Sequence, residues 1–276
     1  MTTVFPRLGI IGAGRMGGAL LRGVLAAGVT TPDAVCFSCA RAESRQRLAQ
    51  QTRARALADN AQVVAESEAV VLAVKPQVAG AVLREIAPVW TRDRLLISVV
   101  AGLRLASLEG MLGGSARLVR AMPNTPCLVG AGITAYCTNA QVRAEDVQVV
   151  ERLFGAVGDC LAVQEAWLDA VTGLSGSGPA YVAVFVEALT DGGVQVGLPR
   201  EVAYRLALQT VKGTVALLQQ TGQHPAQLKD MVASPGGTTM AGLHALEQGA
   251  FRAAVMNAVV AATARAQQLG QLPETK

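Results

Sequence analysis

A glycine-rich turn near the start of the chain, between an apolar run and a helical pattern, most constrains the fold. Gly12, Gly14 and Gly17 follow the apolar residues 4–11, and residues 16–27 have helical periodicity. The spacing predicts a tight turn at Gly12, close approach of a pyrophosphate at Gly14 and helix–strand packing at Gly17. The position of this motif between a strand and a helix favours a dinucleotide-binding site over a purely structural turn.

Apolar runs and helical patterns alternate through the first half of the chain. Strands are predicted at 4–11, 34–38, 69–74, 95–99, 117–121, 132–137 and 160–163, and helices at 16–27, 43–51, 77–86, 105–111 and 144–154. This alternation predicts an α/β fold, with a Rossmann-type doubly wound parallel sheet over residues 1–164. Later helical patterns occur at 181–196, 201–221, 225–232, 239–248 and 252–269. They predict an all-helical second domain over residues 165–276.

The composition indicates an oligomer. Of the 276 residues, 51% are hydrophobic and only 16% are charged, which is more apolar surface than a monomer of this size is expected to bury. The net charge of +4 comes from scattered Arg and Lys side chains, so no nucleic-acid partner is expected. A small anionic molecule is compatible with this charge.

Targeting and cysteine patterns bear on location. No apolar run approaches the roughly 18 residues of a membrane span, and no signal segment precedes the first strand. Five cysteines without framework spacing favour a reducing compartment, so we expect a cytoplasmic protein without a membrane partner. Cys36 and Cys39 match C-x-x-C at a strand end, where neither a redox nor a metal role is expected.

The end of the second predicted strand bears on the choice of cofactor. NAD-binding proteins usually place an acidic residue about 20 residues after the glycine turn, where it binds the ribose 2′-hydroxyl. This chain has Ser38, Cys39 and Arg41 there, with no carboxylate to repel a 2′-phosphate. The sequence therefore predicts NADPH as cofactor, with NADH as an alternative. We interpret Arg45 and Arg47 on the next helix as a solvated face.

A second glycine-rich turn lies deep in the second half of the chain. Pro235 fixes one backbone angle, Gly236 and Gly237 permit close approach, and Thr238 or Thr239 is expected to cap the following helix. Such a turn directs backbone N–H groups at one point, which suits a carboxylate or a phosphate. The alternative is an ordinary loop and helix cap.

These motifs together resemble the pyrroline-5-carboxylate reductase family, along nearly the whole chain. The resemblance is carried by residues 12–17, 73–76, 120–126, 173–181, 192–194, 197–200, 224–225, 228–230 and 234–239. Members reduce 1-pyrroline-5-carboxylate to L-proline with NAD(P)H, the last step of proline biosynthesis, and the resemblance implies that reaction here. It also implies a 6-phosphogluconate dehydrogenase-like fold and a homodimer with interlocked helical domains, with decamers in many members.

The resemblance also implies the residues of the site. On the substrate side it points to Ser234, Gly237, Thr238, Thr239 and Glu165, with the Thr239 hydroxyl as the catalytic group beside the ring nitrogen. On the cofactor side it points, with the turn and strand ends above, to Ile11, Gly12, Ala13, Gly14, Arg15, Met16, Ser38, Cys39, Arg41, Asn60, Ala73, Val74, Lys75, Pro76, Val99, Val100 and Ala101. No metal site is expected.

The available side chains suit reduction of an imine. A protonated imine is already electrophilic, whereas an alcohol dehydrogenase needs a base such as His or Lys to move a proton at oxygen. The only histidines are His224 and His244, interpreted as a helix cap or a solvated position. Two alternatives stay open, a β-hydroxyacid dehydrogenase or broader imine reductase, and a non-catalytic dinucleotide sensor. The first usually needs a Lys or an Asp on the long helix, and residues 173–181 contain no lysine.

Overall fold

The computed structural model describes residues 5–270, and the first half of the chain forms a sheet with helices on both faces. The strands are β1 (Leu8–Ile11), β2 (Val35–Ser38), β3 (Arg55–Leu57), β4 (Ala69–Leu72), β5 (Leu95–Ser98), β6 (Arg117–Met122), β7 (Gly132–Thr138) and β8 (Gly158–Ala162). Their order is β3-β2-β1-β4-β5-β6-β7-β8, and β1 to β6 are parallel. The predicted doubly wound Rossmann-type sheet is confirmed.

Side chains alternate between the two faces of the sheet. The helices of this half are α1 (Arg15–Ala26), α2 (Ala42–Thr52), α3 (Asn60–Ala65), α4 (Pro76–Ile86), α5 (Leu105–Leu112) and α6 (Ala144–Gly155). Ile10 and Val71 belong to a core cluster that includes residues of α1, α2 and α6. Ile11 and Leu72 belong to a second cluster, with residues of α3, α4 and α5. Because both faces are covered, the strands read as continuous apolar runs.

Three details differ from the sequence-based expectation. The sheet is not wholly parallel, because β7 pairs with β6 in the antiparallel sense. Only residues 123–131 join the two strands, which is too short for a helical crossover. The short elements β3 and α3 were not predicted, since they offer little apolar periodicity. The first strand begins at Leu8, and residue 4 lies outside the described residues.

The second half is helical, as predicted. Short helical turns, Glu165–Trp167, α7 (Leu168–Val171) and Thr172–Gly176, lead into α8 (Gly178–Gln195), α9 (Arg200–Thr221), α10 (Pro225–Met231), α11 (Thr238–Gln248) and α12 (Phe251–Leu269). Within residues 5–270, no helix is long and apolar enough to cross a membrane.

The chain forms two compact units. Of the described residues, the sheet unit contains 5–177 and 261–270, and the helical unit is Gly178–Val260. In the helical unit, a Cβ on Gly193 would lie 2.9 Å from the Cβ of Ala203, so α8 and α9 pack closely there. The rings of Phe185 and Phe251 lie 5.8 Å apart and join α8 to α12.

The helical unit buries few of its side chains in the single chain. Its buried residues are Val186, Thr190, Ala203, Ala207 and Leu228. Val184 is 63% exposed, Val196 is 81% exposed and Met256 is 68% exposed. An apolar surface of this kind is typical of a face that binds another protein chain.

Candidate functional site

The first glycine turn is tied to two neighbouring strands. The backbone N–H groups of Gly12 and Ala13 donate to the carbonyl oxygen of Ser38, at 3.2 and 2.8 Å, so the turn is fixed to the end of β2. Gly12 has φ +87°, and a Cβ there would lie 2.8 Å from the carbonyl oxygen of Ala73. This position therefore requires glycine on grounds of both conformation and space.

Gly14 and Gly17 differ in what surrounds them. A Cβ on Gly17 would lie 2.6 Å from the carbonyl oxygen of Gly12 and 3.1 Å from Cγ2 of Ile10. The glycine thus permits close packing of α1 on β1. A Cβ on Gly14 would meet only the Gly12 oxygen, at 4.0 Å, so the space beside Gly14 is open. A bulky anionic group fits against the backbone at this position.

The start of α1 has no side chain that satisfies its first N–H groups. Gly14 is the N-cap residue, it makes no side-chain cap, and the first turn contains no acidic residue. The first-turn N–H groups of a helix carry a partial positive charge and bind anions when no side chain caps them. The turn and helix therefore have the geometry that a pyrophosphate requires.

The remaining predicted cofactor residues of the central strands meet at the same edge of the sheet. The N–H of Ala73 donates to the carbonyl of Ile11 at 2.8 Å, and the N–H of Val99 donates to that of Leu72 at 3.0 Å. Residues 73–76 and 99–101 thus follow the carboxyl ends of β4 and β5, with Pro76 as the first residue of α4. Beside them is the point where strand order reverses between β1 and β4, the usual binding crevice of such sheets.

At the end of β2, the structure joins Ser38 to Asn60. The Ser38 Oγ donates to Oδ1 of Asn60 at 2.6 Å. Arg41 is exposed and is the N-cap residue of α2. The solvated-face interpretation is wrong for Arg45, whose Nη1 donates to the carbonyl oxygen of Cys39 at 3.0 Å. Its guanidinium thus points towards the residues that precede α2.

The second glycine turn is a type II turn. The N–H of Gly237 donates to the carbonyl of Ser234 at 3.0 Å, and Gly236 at the third position has φ +66°. The N-cap residue of α11 is Gly237, with no side-chain cap, so the expected threonine cap is wrong. Thr238 and Thr239 lie inside the first helical turn, one and two residues beyond the capping position.

Glu165 belongs to a partly buried ionic network of the sheet unit. Its Oε1 accepts from the N–H of Leu105 at 2.8 Å and from Nη1 of Arg120 at 3.3 Å. Asp169 accepts from Nη2 of the same arginine at 3.3 Å and lies 4.0 Å from Arg104. The Arg120 side chain is 5% exposed, and its charge is balanced by these two carboxylates.

The cysteines and histidines offer no catalytic cluster in residues 5–270. All five cysteines are free, and burial raises the pKa of Cys36. No group of three potential metal ligands occurs in this range. His224 caps α10, with its Nδ1 accepting from the N–H of Ala226 at 3.2 Å, as interpreted from the sequence. His244 is exposed on α11.

Two family models match the chain. Residues 165–269 match the family model described as pyrroline-5-carboxylate reductase dimerisation. Residues 7–102 match the model described as NADP oxidoreductase, coenzyme F420-dependent.

Full-length relatives decide the family. The pyrroline-5-carboxylate reductase of Arabidopsis thaliana is 45% identical over 265 residues, which cover 96% of this chain and 96% of the relative. That of Synechocystis is 46% identical over 265 residues, covering 96% and 98%. The chain belongs to the pyrroline-5-carboxylate reductase family. The structure of the Plasmodium falciparum pyrroline carboxylate reductase with NADP bound has a TM-score of 0.89 at 38% identity. The match covers 98% of this chain and 100% of the Plasmodium falciparum chain.

The sequence did not predict several residues that contact the predicted site residues. Arg120 forms ion pairs with both Glu165 and Asp169. Asn60 donates from Nδ2 to Oε2 of Glu85 at 2.8 Å. For Arg120 the signal was a charged residue in the apolar interior of a strand, which requires a buried partner. Glu85 gave no such signal, because an exposed glutamate on a helix is common.

Proposed function

We propose that this chain reduces 1-pyrroline-5-carboxylate to L-proline with NADPH, the last step of proline biosynthesis, and that NADH is a second reductant. The observation that carries the proposal is the uncapped start of α11 behind its type II turn. It provides a carboxylate site in a chain whose other glycine turn already suits a dinucleotide. Family membership along the whole chain supports the same reaction.

The cofactor fits the residues at the edge of the sheet. The open space beside Gly14 and the uncapped first turn of α1 accommodate the pyrophosphate. Ser38, Cys39, Arg41 and Asn60 bind the adenosine end in this proposal. The segments 73–76 and 99–101 line the nicotinamide end. When bound, the reduced nicotinamide supplies a hydride to the imine carbon, and the C=N electron pair passes to the ring nitrogen.

The substrate carboxylate is assigned to the turn of the helical unit. Thr238 and Thr239 present backbone N–H groups where α11 begins. Gly237, whose own N–H closes the turn on Ser234, lets the carboxylate approach the backbone, and Ser234 adds a hydroxyl at the start of the turn. The first-turn partial charge of α11 favours an anion, and the first turn of α11 contains no acidic residue that opposes it.

The proton side of the reaction is assigned to Thr239. Its hydroxyl donates a hydrogen bond to the ring nitrogen of the neutral imine, which holds the imine in one orientation. As the C=N electron pair passes to the nitrogen, the hydroxyl gives its proton to that nitrogen and is reprotonated from solvent, so hydride and proton together give the amine. Glu165 is retained as a substrate-side residue, with a side chain that is 33% exposed. Its Oε1 is oriented by Leu105 and Arg120.

We assign cofactor binding to residues 1–164 and substrate binding and dimerisation to residues 165–276. The change from strands to helices at this point supports the boundary, and the dimerisation model matches from residue 165. The exposed apolar side chains of the helical unit support an interlocked homodimer, and a decamer of such dimers is the higher assembly we propose. The free thiols favour the reducing cytoplasm.

A steady-state assay tests the proposed reaction. With 1-pyrroline-5-carboxylate and NADPH, we expect loss of NADPH absorbance and one L-proline per NADPH consumed. A β-hydroxyacid dehydrogenase would instead oxidise hydroxyacids with NADP⁺. A sensor would bind NADPH without turnover. Either of these results, with no proline formed, would contradict the proposal.

A further inference from the structure

A chain of two hydrogen bonds leads away from the end of β2. Ser38 Oγ donates to Oδ1 of Asn60 at 2.6 Å, and Nδ2 of Asn60 donates to Oε2 of Glu85 at 2.8 Å. The three residues come from the end of β2, the start of α3 and the last turn of α4. All three belong to the sheet unit.

The carboxylate of Glu85 sets the direction of both hydrogen bonds. An ionised carboxylate only accepts hydrogen bonds, so the Asn60 amide must turn its NH₂ group towards Glu85. The amide oxygen then faces Ser38 and accepts. The Ser38 hydroxyl therefore donates its single hydrogen to Asn60, and its lone pairs alone remain for other groups.

The direction of the Ser38–Asn60 hydrogen bond matters because of where Ser38 lies. It ends the second strand of a Rossmann-type sheet, the position from which such proteins contact the ribose 2′-position of the cofactor. A ribose 2′-hydroxyl has a hydrogen to donate, whereas the ionised oxygens of a 2′-phosphate only accept. A serine restricted to accepting thus pairs with the hydroxyl and not with the phosphate.

We propose that Glu85, acting through Asn60, is a positioning residue for cofactor selectivity that makes Ser38 an acceptor. The inference rests on the cofactor site proposed above. It assigns the contact with a 2′-hydroxyl to Ser38 and the attraction of a 2′-phosphate to Arg41. Arg45 already donates from one guanidinium nitrogen to the carbonyl of Cys39. The pocket thereby accepts NADH while it retains NADPH.

Calorimetric binding of two cofactor fragments to the full chain tests this inference without turnover. The probes are adenosine 5′-monophosphate, with a free 2′-hydroxyl, and adenosine 2′,5′-bisphosphate. In Glu85→Gln, the new amide can present its oxygen to Asn60 or its NH₂ group, so Asn60 is free to turn over. Ser38 is then free to donate to the phosphate. We expect the preference for the bisphosphate to rise about tenfold, the effect of one hydrogen bond to a charged group.

Glu43→Gln is the matched control. It removes one carboxylate from the first turn of α2, near Arg41 in sequence, without a role in the Ser38–Asn60–Glu85 chain. Charge removal alone is expected to change the preference by less than about twofold at physiological salt, because screening weakens exposed charges. An equal change in the two variants, or an unchanged preference in Glu85→Gln, would overturn the proposal.

Ser38→Ala gives a second test with an effect in the opposite direction. Loss of the accepting hydroxyl is expected to weaken binding of the monophosphate about fivefold and to leave the bisphosphate nearly unchanged. If the bisphosphate loses more affinity than the monophosphate, Ser38 donates to the phosphate and the inference is wrong. If neither fragment binds the unmodified chain, the cofactor site itself is misassigned, which the turnover assay detects separately.

Discussion

The sheet unit and the helical unit differ in how far their apolar side chains are buried. In the sheet unit, the central strands are buried on both faces, and Ile10, Ile11 and Leu72 have no exposed surface. In the helical unit, long helices carry side chains such as Val184 and Met256 in contact with solvent in the single chain. The sheet unit thus completes its core alone, whereas the helical unit needs another chain to cover its surface.

The two glycine turns show the same contrast on a smaller scale. The turn of the sheet unit is fixed on two sides, by the carbonyl oxygen of Ser38 and by the segment after β4. Most residues of the Ser234 turn are exposed, and a Cβ on Gly236 would meet no atom within 4 Å. We infer that the cofactor site is complete within one chain and that the substrate site is completed by dimerisation.

Dissociation of the dimer is expected to have the largest effect. On dilution to the monomer, turnover per chain should fall nearly to zero, because the helical unit loses its cover. Binding of adenosine 2′,5′-bisphosphate should persist, since its site lies within the sheet unit. Sedimentation, activity and fragment binding over one concentration series measure this. A fully active monomer would remove the contrast between the units.

Substitution of Thr239 by valine tests the chemistry of the helical unit. We expect kcat to fall about 100-fold, the usual scale for loss of a group that assists proton transfer. The Kd for NADPH should be unchanged, and Thr239→Ser should recover most of the rate because it restores the hydroxyl. An unaltered kcat in Thr239→Val would take this residue out of the mechanism.

Two glycines of the first turn separate binding from stability. Gly17→Val should lower the free energy of unfolding by about 2–4 kcal/mol, because its side chain would meet the Gly12 carbonyl and Ile10. Gly14→Ala should change stability by less than about 1 kcal/mol and weaken cofactor binding about tenfold, because its methyl group enters open space. Urea unfolding and calorimetry measure the two effects. Equal destabilisation by both variants would contradict the assignment of the open space to the pyrophosphate.

A smaller effect, a loss of stability at alkaline pH, is expected from a buried thiol of the sheet unit. Burial, followed by the charge of Glu165, raises the pKa of Cys137 to about 11. The pKa of a thiol in the unfolded chain is about 8.5. The contribution of this thiol is therefore complete below about pH 8.5 and is lost as the pH rises towards 11. Near pH 9.5 the expected loss is about 1 kcal/mol.

Urea unfolding across pH 7 to 10 measures this loss, with Cys137→Val as the matched variant. The variant should show a shallower decline than the unmodified chain. Identical slopes would mean that this thiol does not couple stability to pH. The helical unit has no cysteine and contributes nothing of this kind.

Much of the fold could be predicted because buried strands and glycine turns leave strong signals. β4 and β5 are apolar at nearly every position, which only a sheet covered on both faces requires. β3 has three residues, two of them exposed, so no pattern marks it. The direction of β7 follows from the length of its connection rather than from its residues.

The candidate site could be predicted less completely. The glycine turns were found because glycine spacing reflects backbone demands that are local. The Asn60–Glu85 contact and the Arg45–Cys39 contact depend on how separate helices meet the sheet, so sequence distance conceals them. The expected threonine cap was wrong because the type II turn ends one residue earlier, at Gly237.

A crystal structure with NADP⁺ and L-proline bound tests the central claim most directly. The account predicts the pyrophosphate at the first-turn N–H groups of α1 and the proline carboxylate at the N–H groups of Thr238 and Thr239. It also predicts the Thr239 hydroxyl within hydrogen-bonding distance of the ring nitrogen. A carboxylate bound elsewhere, or a cofactor phosphate in the Ser234 turn, would contradict it.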